Sequence, residues 1–558
     1  MNILFIMYDQ LRFDYLSCSG HPHLHTPNFD RVAAMGVRFS NAYVQSPICG
    51  ASRMSTYTGR YCSSHGAQWN GFPLRVGEQT MGDHLRKAGM DCWLIGKTHM
   101  KVDAEGMQRL GLSADSVIGA RQAECGFDVW VRDDGLWSQG PDGFYDEKRS
   151  PYNEYLKSKG YQGENPWADY ANAGIDDDEI ASGWMFDNAD KPANIREQDS
   201  ETPWLTSETL RFIEQAQGSW CAHVSYIKPH WPYIVPAPYH AMYGAEHVPA
   251  AKRHDSERID AHPVFDAYMQ NKIAKAFQQD KVRDKVIPAY MGLIKQCDDQ
   301  LGRLLDHLES SDTMKDTMIV LTSDHGDYLG DHWLGEKDLF HDPSVKVPLI
   351  IFDPSQAADS TRGSVCDALV ESIDLAPTFV EVAKAKIPGH ILEGRSLLPY
   401  LRATPTTTST STSTSTSTPA REYVISEYDY SVTPQCTKLG LAPGDARLFM
   451  VFDGRYKLIH AEGGFRPMLF DLHEDPDELE DLAKTDRHQE QTDRLYGYLA
   501  QWGRRLSQRV TRSDDDIKSM RGKSIRRGVL PFLKDGSEVD ASLTETYRGK
   551  IKQNFLEE

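Results

Sequence analysis

Ile3-Leu4-Phe5-Ile6-Met7-Tyr8-Asp9-Gln10 is wholly apolar for six residues and then turns polar. A run this short and uniform suits a strand covered on both faces, as in a parallel sheet flanked by helices. Three later runs repeat the pattern. Residues 92–95 lead into Gly96-Lys97-Thr98-His99, and residues 220–227 into Lys228-Pro229-His230. Residues 318–322 lead into Ser323-Asp324-His325-Gly326-Asp327, and 347–352 form a further apolar run. Helical patterns alternate with these strands. One opens at Thr26-Pro27 and stops near Gly36, one runs from Cys49 to about Gly59, and one covers 79–88 and closes at Gly89. Two more cover 207–217 and 288–308. Such alternation predicts an α/β fold with a large, mostly parallel sheet sandwiched by helices. Ligands bind beyond the carboxyl ends of strands in such sheets. Four runs end there in polar groups: Asp9/Gln10, Lys97/His99, Lys228/His230 and Asp324/His325.

The chain has 558 residues, 40% of them hydrophobic and 25% charged, enough for one large domain and a smaller one. A formal net charge of -20 argues against nucleic acid and anionic membranes as partners. It also repels anionic substrates at long range, so an anion site has to be locally basic. Nine cysteines without a Cys-x-x-Cys pair make neither a disulfide framework nor a zinc pattern. Met1-Asn2 leads directly into the first strand, and no apolar run reaches transmembrane length, so a cytoplasmic protein is expected.

Residues 105–200 are rich in Gly, Asp, Trp and Tyr and show little periodicity. Short elements that cover the site or meet another subunit are expected there. The tract 404–418 is nearly pure Ser and Thr and reads as a linker or loop. Beyond it, 422–427, 448–452 and 456–460 read as strands, the last two joined at Asp453-Gly454. A helical stretch is expected from Asp475-Pro476-Asp477 to about Ser507. Together these predict a smaller antiparallel sheet with a helix. The expected organisation is a catalytic domain over 1–400, a linker over 401–420, an α+β subdomain over 421–510 and a tail over 511–558 that contacts other copies in a homodimer or homotetramer.

Asp9 and Asp324 would meet at one edge of the sheet, where two carboxylates repel unless a cation lies between them. Gln10 adds a neutral oxygen and His325 a nitrogen, a donor set that suits Mn²⁺, Mg²⁺ or Ca²⁺. The nucleophile lies in Pro47-Ile48-Cys49-Gly50-Ala51-Ser52-Arg53-Met54-Ser55-Thr56-Tyr57-Thr58-Gly59-Arg60. Gly50, Ala51 and Ser52 suit a turn into a helix, whose free N–H groups and dipole favour an anion beside Cys49. Arg53, four residues on, shares its helix face. A nucleophile, a guanidinium and a helix N-terminus at one point make a site for an oxyanion ester.

This stretch resembles the sulfatase signature Cys-x-Pro/Ala-Ser-Arg followed by Thr-Gly, with Ala51 where Pro is commoner. The resemblance implies an alkaline phosphatase-like fold. It also implies that a maturase oxidises Cys49 to formylglycine, whose aldehyde hydrate is the nucleophile. Gly96-Lys97-Thr98-His99 is similar to the second signature, Gly-Lys-x-His. Lys97 would then hold a sulfate oxygen and His99 would assist breakdown of the covalent intermediate. Lys228-Pro229-His230 resembles the segment whose His sits near the leaving-group oxygen as acid or donor. Gly335-Glu336-Lys337 resembles the segment whose Lys bridges the sulfate and leaving oxygens. Asn70, in Trp69-Asn70-Gly71-Phe72-Pro73, is a candidate for lining the substrate pocket. His332 reads as structural, as do His21, His23 and His25. The implied metal set is Asp9, Gln10, Asp324 and His325, with residue 49.

Many arylsulfatases carry Asp-Asp and Asp-Asn at the two metal segments. Asp9-Gln10 and Asp324-His325 look more like phosphonate monoester hydrolases and choline sulfatases, and His325 favours Mn²⁺ over Ca²⁺. Phosphonate hydrolases usually have Tyr and Thr where this chain has Lys97 and His99. The expected activity is therefore hydrolysis of aryl or small alkyl sulfate monoesters. The alternatives are a phosphonate monoester or phosphodiester hydrolase on the same scaffold, and an unmatured, non-catalytic anion-binding protein.

Overall fold

The first apolar run forms a strand over Asn2–Asp9, and seven of its eight residues are buried. The computed structural model describes residues 1–113, 116–135, 150–177, 179–402 and 420–521. Its strands, in chain order, begin with β1 (Asn2–Asp9), β2 (Val37–Tyr43), β3 (Asp91–Gly96), β4 (Asp128–Arg132), β5 (Ala173–Asp176) and β6 (Glu179–Ser182). They continue with β7 (Trp220–Pro229), β8 (Thr317–Ser323), β9 (Leu349–Phe352) and β10 (Ser364–Glu371). The last four are β11 (Val424–Asp429), β12 (Arg447–Phe452), β13 (Tyr456–Ala461) and β14 (Met468–Asp471).

Eight of them form one sheet in the order β10-β2-β9-β8-β1-β7-β3-β4. β9 runs antiparallel to both its neighbours, and the remaining pairs are parallel. The sequence identifies this run as a strand but not its direction, because a strand buried on both faces has no alternation to read. Along β1, Ile3, Phe5 and Met7 enter one core while Leu4, Ile6 and Tyr8 enter the other. The first core also takes Met54 and Tyr57 of the Cys49–Thr58 helix, and Phe379 of the Leu375–Val382 helix. The second takes Ile294, Leu301 and Leu305 of the Asp280–Ser310 helix. Helices thus cover both faces.

Pro27–Met35 ends at Gly36, as expected, and Cys49–Thr58 ends at Gly59, whose φ of 65° gives the left-handed cap. Met81–Lys87 is closed at its start by a reciprocal Thr80–Asp83 capping box. Two helices begin earlier than the sequence suggests. One spans Glu201–Gln215, and the other, Asp280–Ser310, carries Pro288 inside it. β2 and β10 escape a pattern reading. β2 mixes Ser40 and Asn41 into a half-buried strand, and the first half of β10 is largely exposed.

The smaller sheet is antiparallel in the order β11-β12-β13-β14. Its helix corrects the sequence reading by starting at Gln489 and ending at Gly503. Asp475 instead closes turns: its N–H donates to the Asp471 carbonyl at 2.8 Å and its carboxylate accepts from the Glu480 N–H. Between 105 and 200 the described residues form short helices, β4 and the β5–β6 hairpin. The 404–418 tract lies outside the described residues, as does the tail beyond Arg521. The chain divides into two compact units. Met1–Ile387 with Leu392–Arg505 makes the large one, and Pro388–Ile391 with the stretch from Leu506 makes the small one, which contains the Asp514–Met520 helix.

Candidate active site

β1 and β8 pair in register from Asn2↔Thr317 to Tyr8↔Ser323, so the next residues of each, Asp9 and Asp324, emerge side by side. Both are fully buried. On the other flank, β3 pairs with β7 up to Gly96↔Ser225, and the Lys97 N–H donates to the Ser225 carbonyl at 3.1 Å. Gly96 has φ +111°, and a Cβ there would lie 2.2 Å from that carbonyl oxygen, so only glycine fits. The turn sends Lys97 back over the sheet edge, with Nζ 2.6 Å from Asp9 Oδ2.

Cys49 is the first residue of its helix, and Arg53 lies on the same face, as the spacing predicts. The Arg53 guanidinium is wholly buried and bridges the two carboxylates. Nε donates to Asp324 Oδ2 at 2.6 Å and Nη2 to Asp9 Oδ2 at 3.1 Å. Nη1 donates to Ser225 Oγ at 2.7 Å and to the Lys97 carbonyl at 3.0 Å. Asn70 Oδ1 accepts from the Gly50 N–H at 2.7 Å, so Asn70 caps the first turn of this helix.

Cys49 Sγ lies 3.0 Å from His325 Nε2, 3.3 Å from Lys337 Nζ and 3.9 Å from Asp9 Oδ1. Burial alone would raise this thiol, but Lys337, His325 and Lys97 hold it well below its ordinary value. Burial likewise opposes the charge on Asp9, yet the Lys97 ammonium and the Arg53 guanidinium keep its carboxylate ionised. His325 Nδ1 donates to the Gly326 carbonyl at 2.9 Å, the arrangement that leaves Nε2 for an ion. One donor atom from each of Asp9, Cys49, Asp324 and His325 lies within 4.8 Å of the others. Two carboxylates and an imidazole with its far nitrogen anchored fit a hard-to-borderline divalent ion. The Gln10 carboxamide donates to the Tyr233 hydroxyl at 3.0 Å and to Asp327, which turns its Oε1 onto Lys337 Nζ at 3.2 Å.

Lys337 also meets His230 Nε2 at 3.2 Å. His230 Nδ1 donates to the Trp231 carbonyl at 2.7 Å, so Nε2 is the acceptor. Burial and the Lys337 ammonium lower this imidazole to about 4. The structure thus makes His230 a neutral acceptor, where the sequence allows an acid, and leaves Lys337 as the donor.

Lys337 rides on a contorted loop. Leu329, His332, Trp333, Glu336 and Asp338 all have positive φ. Arg12 holds the loop, its Nη1 donating to the carbonyls of Asp327 and Tyr328 at 3.2 Å and to Asp331 Oδ2 at 2.7 Å. Arg283 Nε donates to the Leu329 carbonyl at 3.0 Å and Gln278 Nε2 to the Trp333 carbonyl at 3.0 Å. Sequence reasoning missed Arg12, Tyr233, Ser225 and Asp327. Only Asp327 left a trace, as the last residue of the Ser323–Asp327 segment.

His99 has φ 55°, and its Nδ1 is buried without a partner among the described residues. Among the described residues no hydrogen bond joins it to the cluster. His332 stacks on His341 with centroids 3.8 Å apart and pairs with Glu257 at 2.7 Å. Among the described residues, the group at Asp9 is the one with metal-holding geometry, and His21, His23 and His25 form none.

Residues 1–385 match the family model Sulfatase. The chain belongs to the sulfatase family. Among known proteins, this sulfatase-family chain is 29% identical over 515 residues to the multifunctional alkaline phosphatase superfamily protein PehA of Trinickia caryophylli, covering 86% of the chain and 91% of that protein. It is 27% identical over 512 residues to an arylsulfatase of Clostridium perfringens, covering 88% and 92%. The solved phosphonate monoester hydrolase of Silicibacter pomeroyi superposes with a TM-score of 0.75 at 28% identity, over 90% of this chain and 94% of that one. The sulfatase-family chain thus stands among hydrolases of the alkaline phosphatase superfamily. No helix among its described residues is long and apolar enough to cross a membrane.

Proposed function

We propose that the protein hydrolyses sulfate monoesters of aryl or small alkyl alcohols, with a formylglycine made from Cys49 as nucleophile. One divalent ion, Mn²⁺ for preference, would be held by Asp9, Gln10, Asp324, His325 and residue 49. A formylglycine-generating maturase is the implied partner, and a homo-oligomer the implied assembly. The observation that carries the reading is Lys97, a buried ammonium 2.6 Å from Asp9 at the nucleophile's edge of the sheet. A sulfate monoester presents three non-bridging oxygens. Lys97 and Lys337 supply cations for them that a carbon substituent would waste.

Bound there, the ion supplies charge neutralisation at an ester oxygen, and the modified residue supplies an attacking hydroxyl. The chain's own groups do the rest. Arg53 balances the two carboxylates, so removing it would leave them repelling each other. Lys337, 3.3 Å from Sγ, donates to the departing oxygen, and His230 holds that ammonium from behind by accepting through Nε2. His99, with Nδ1 buried and unpartnered among the described residues, is the base proposed for restoring the nucleophile.

Phosphonate monoester hydrolysis is the second reading, favoured by Gln10, His325 and the likeness to the S. pomeroyi structure. The deciding experiment compares kcat/KM for an aryl sulfate and an aryl phosphonate monoester on one preparation. Replacing Lys97 by Tyr and His99 by Thr should lower the sulfate value by about 10²-fold, the scale of losing a preorganised donor, and the phosphonate value much less. A wild type that prefers the phosphonate by a wide margin replaces the first reading with the second.

A further inference from the structure

Three tryptophans form a row of ring contacts that begins at His230. The His230 ring lies 4.3 Å from the Trp231 ring, centroid to centroid. Trp231 is 5.5 Å from Trp184 in a T-shaped contact, and Trp184 is 6.2 Å from Trp167. Trp167 is buried, with Nε1 donating to Glu201 at 2.8 Å. Trp184 is 50% exposed and Met185 beside it 60%. The half-exposed Trp184 therefore sits between Trp231, beside His230, and the anchored Trp167.

The segment bearing Trp184 is well fixed. It follows β6, and a Cβ on Gly183 would lie 2.0 Å from the Asn172 carbonyl oxygen. Asn172 Oδ1 accepts from Lys228 Nζ at 2.9 Å, two residues before His230. Asn188 Nδ2 donates back to the Ser182 carbonyl at 2.9 Å. An indole held this firmly and left half in water is not core packing.

Trp231 supplies the second observation. Its Nε1 is buried and has no acceptor among the described residues, whereas buried indole N–H groups normally find one. The wall thus offers a half-open ring face, a ring set across it and one free donor, next to the histidine that holds Lys337.

We propose that Trp184 and Trp231 form the leaving-group subsite and select esters of flat aromatic alcohols that carry a hydrogen-bond acceptor. The ring stacks on Trp184 against the edge of Trp231, and the acceptor meets Trp231 Nε1. A saturated ring of equal size gains contact but no quadrupole match. A sugar brings several hydroxyls that a wall with one free N–H cannot pair. The proposal rests on the reading of Cys49 as the nucleophile of an ester hydrolase.

The test uses the full chain and two esters, an aryl ester with a carbonyl on its ring and a cyclohexyl ester, as sulfates or as phosphonates. Trp184→Ala should lower the aryl-to-cyclohexyl ratio of kcat/KM about tenfold, and Trp184→Phe should restore most of it. Trp231→Phe should lower the preference for the ring carbonyl over plain phenyl severalfold. Ratios unchanged in Trp184→Ala overturn the subsite while leaving the nucleophile reading intact. Quenching of tryptophan fluorescence by a non-hydrolysable aryl sulfonate judges the subsite without turnover. Its Kd should weaken about tenfold in Trp184→Ala, and an equal Kd overturns the proposal. Wild-type enzyme that binds the sulfonate normally yet hydrolyses neither ester refutes the nucleophile reading alone.

Discussion

The two halves of the site are held in different ways. Asp9 is the last residue of β1, Asp324 and Lys97 each stand one step past the ends of β8 and β3, and the registers of β1, β8, β3 and β7 set their positions. Lys337 instead rides on a loop with five non-glycine left-handed residues, each costing about 1–3 kcal/mol and tolerated only where the surroundings over-determine it. Arg12, Arg283 and Gln278 are those surroundings. Backbone pairing places the carboxylate shelf, whereas side chains from remote segments place the cation facing it. The shelf should therefore fail through charge, and the loop through geometry.

Asp324→Asn is the deepest cut into the shelf, because it removes one of the two charges that Arg53 and the proposed ion offset. Turnover should drop by about 10³-fold or more together with bound metal, as read by kinetics and elemental analysis. Unchanged metal content would place the ion elsewhere. Lys337→Ala, on the other half, should lower kcat by about 10²- to 10³-fold with metal content retained. Joint loss of metal would show that the halves are not separable.

Arg12→Ala should lower kcat about tenfold and cost about 3 kcal/mol in urea unfolding, because Asp331 and Asp14 lose a buried partner. A normal kcat would mean that the loop holds Lys337 without Arg12. The smallest effect concerns acid stability. Arg12 draws the carboxyl of Asp14, which is otherwise raised by burial, below its ordinary 3.8. A depressed folded-state value contributes stability in full above about 4, and that contribution disappears as pH falls further. Asp14→Asn should accordingly flatten the acid limb of the stability profile, and a limb parallel to wild type would contradict the pairing.

The sequence reveals the shelf for the same reason that the shelf is rigid. A short apolar run ending in Asp9 or Asp324 announces both the strand and its functional end, and the four-residue spacing of Cys49 and Arg53 announces their shared face. The loop is opaque because nothing local in residues 328–338 encodes left-handed backbone at Leu329 or Trp333. The contacts that hold it come from Arg12 and Arg283, far away in the chain. The direction of β9, the turn at Asp475 and the tautomer of His230 are tertiary outcomes too. Trp184 lay hidden in an aperiodic region, where periodicity offers no handle.

The most direct measurement is the mass of the tryptic peptide containing Cys49, taken from a preparation with known specific activity. Conversion to formylglycine makes that peptide about 18 Da lighter than its thiol form, and the converted fraction should rise in proportion to activity. A fully active preparation whose Cys49 peptide keeps the thiol mass would contradict the proposed nucleophile.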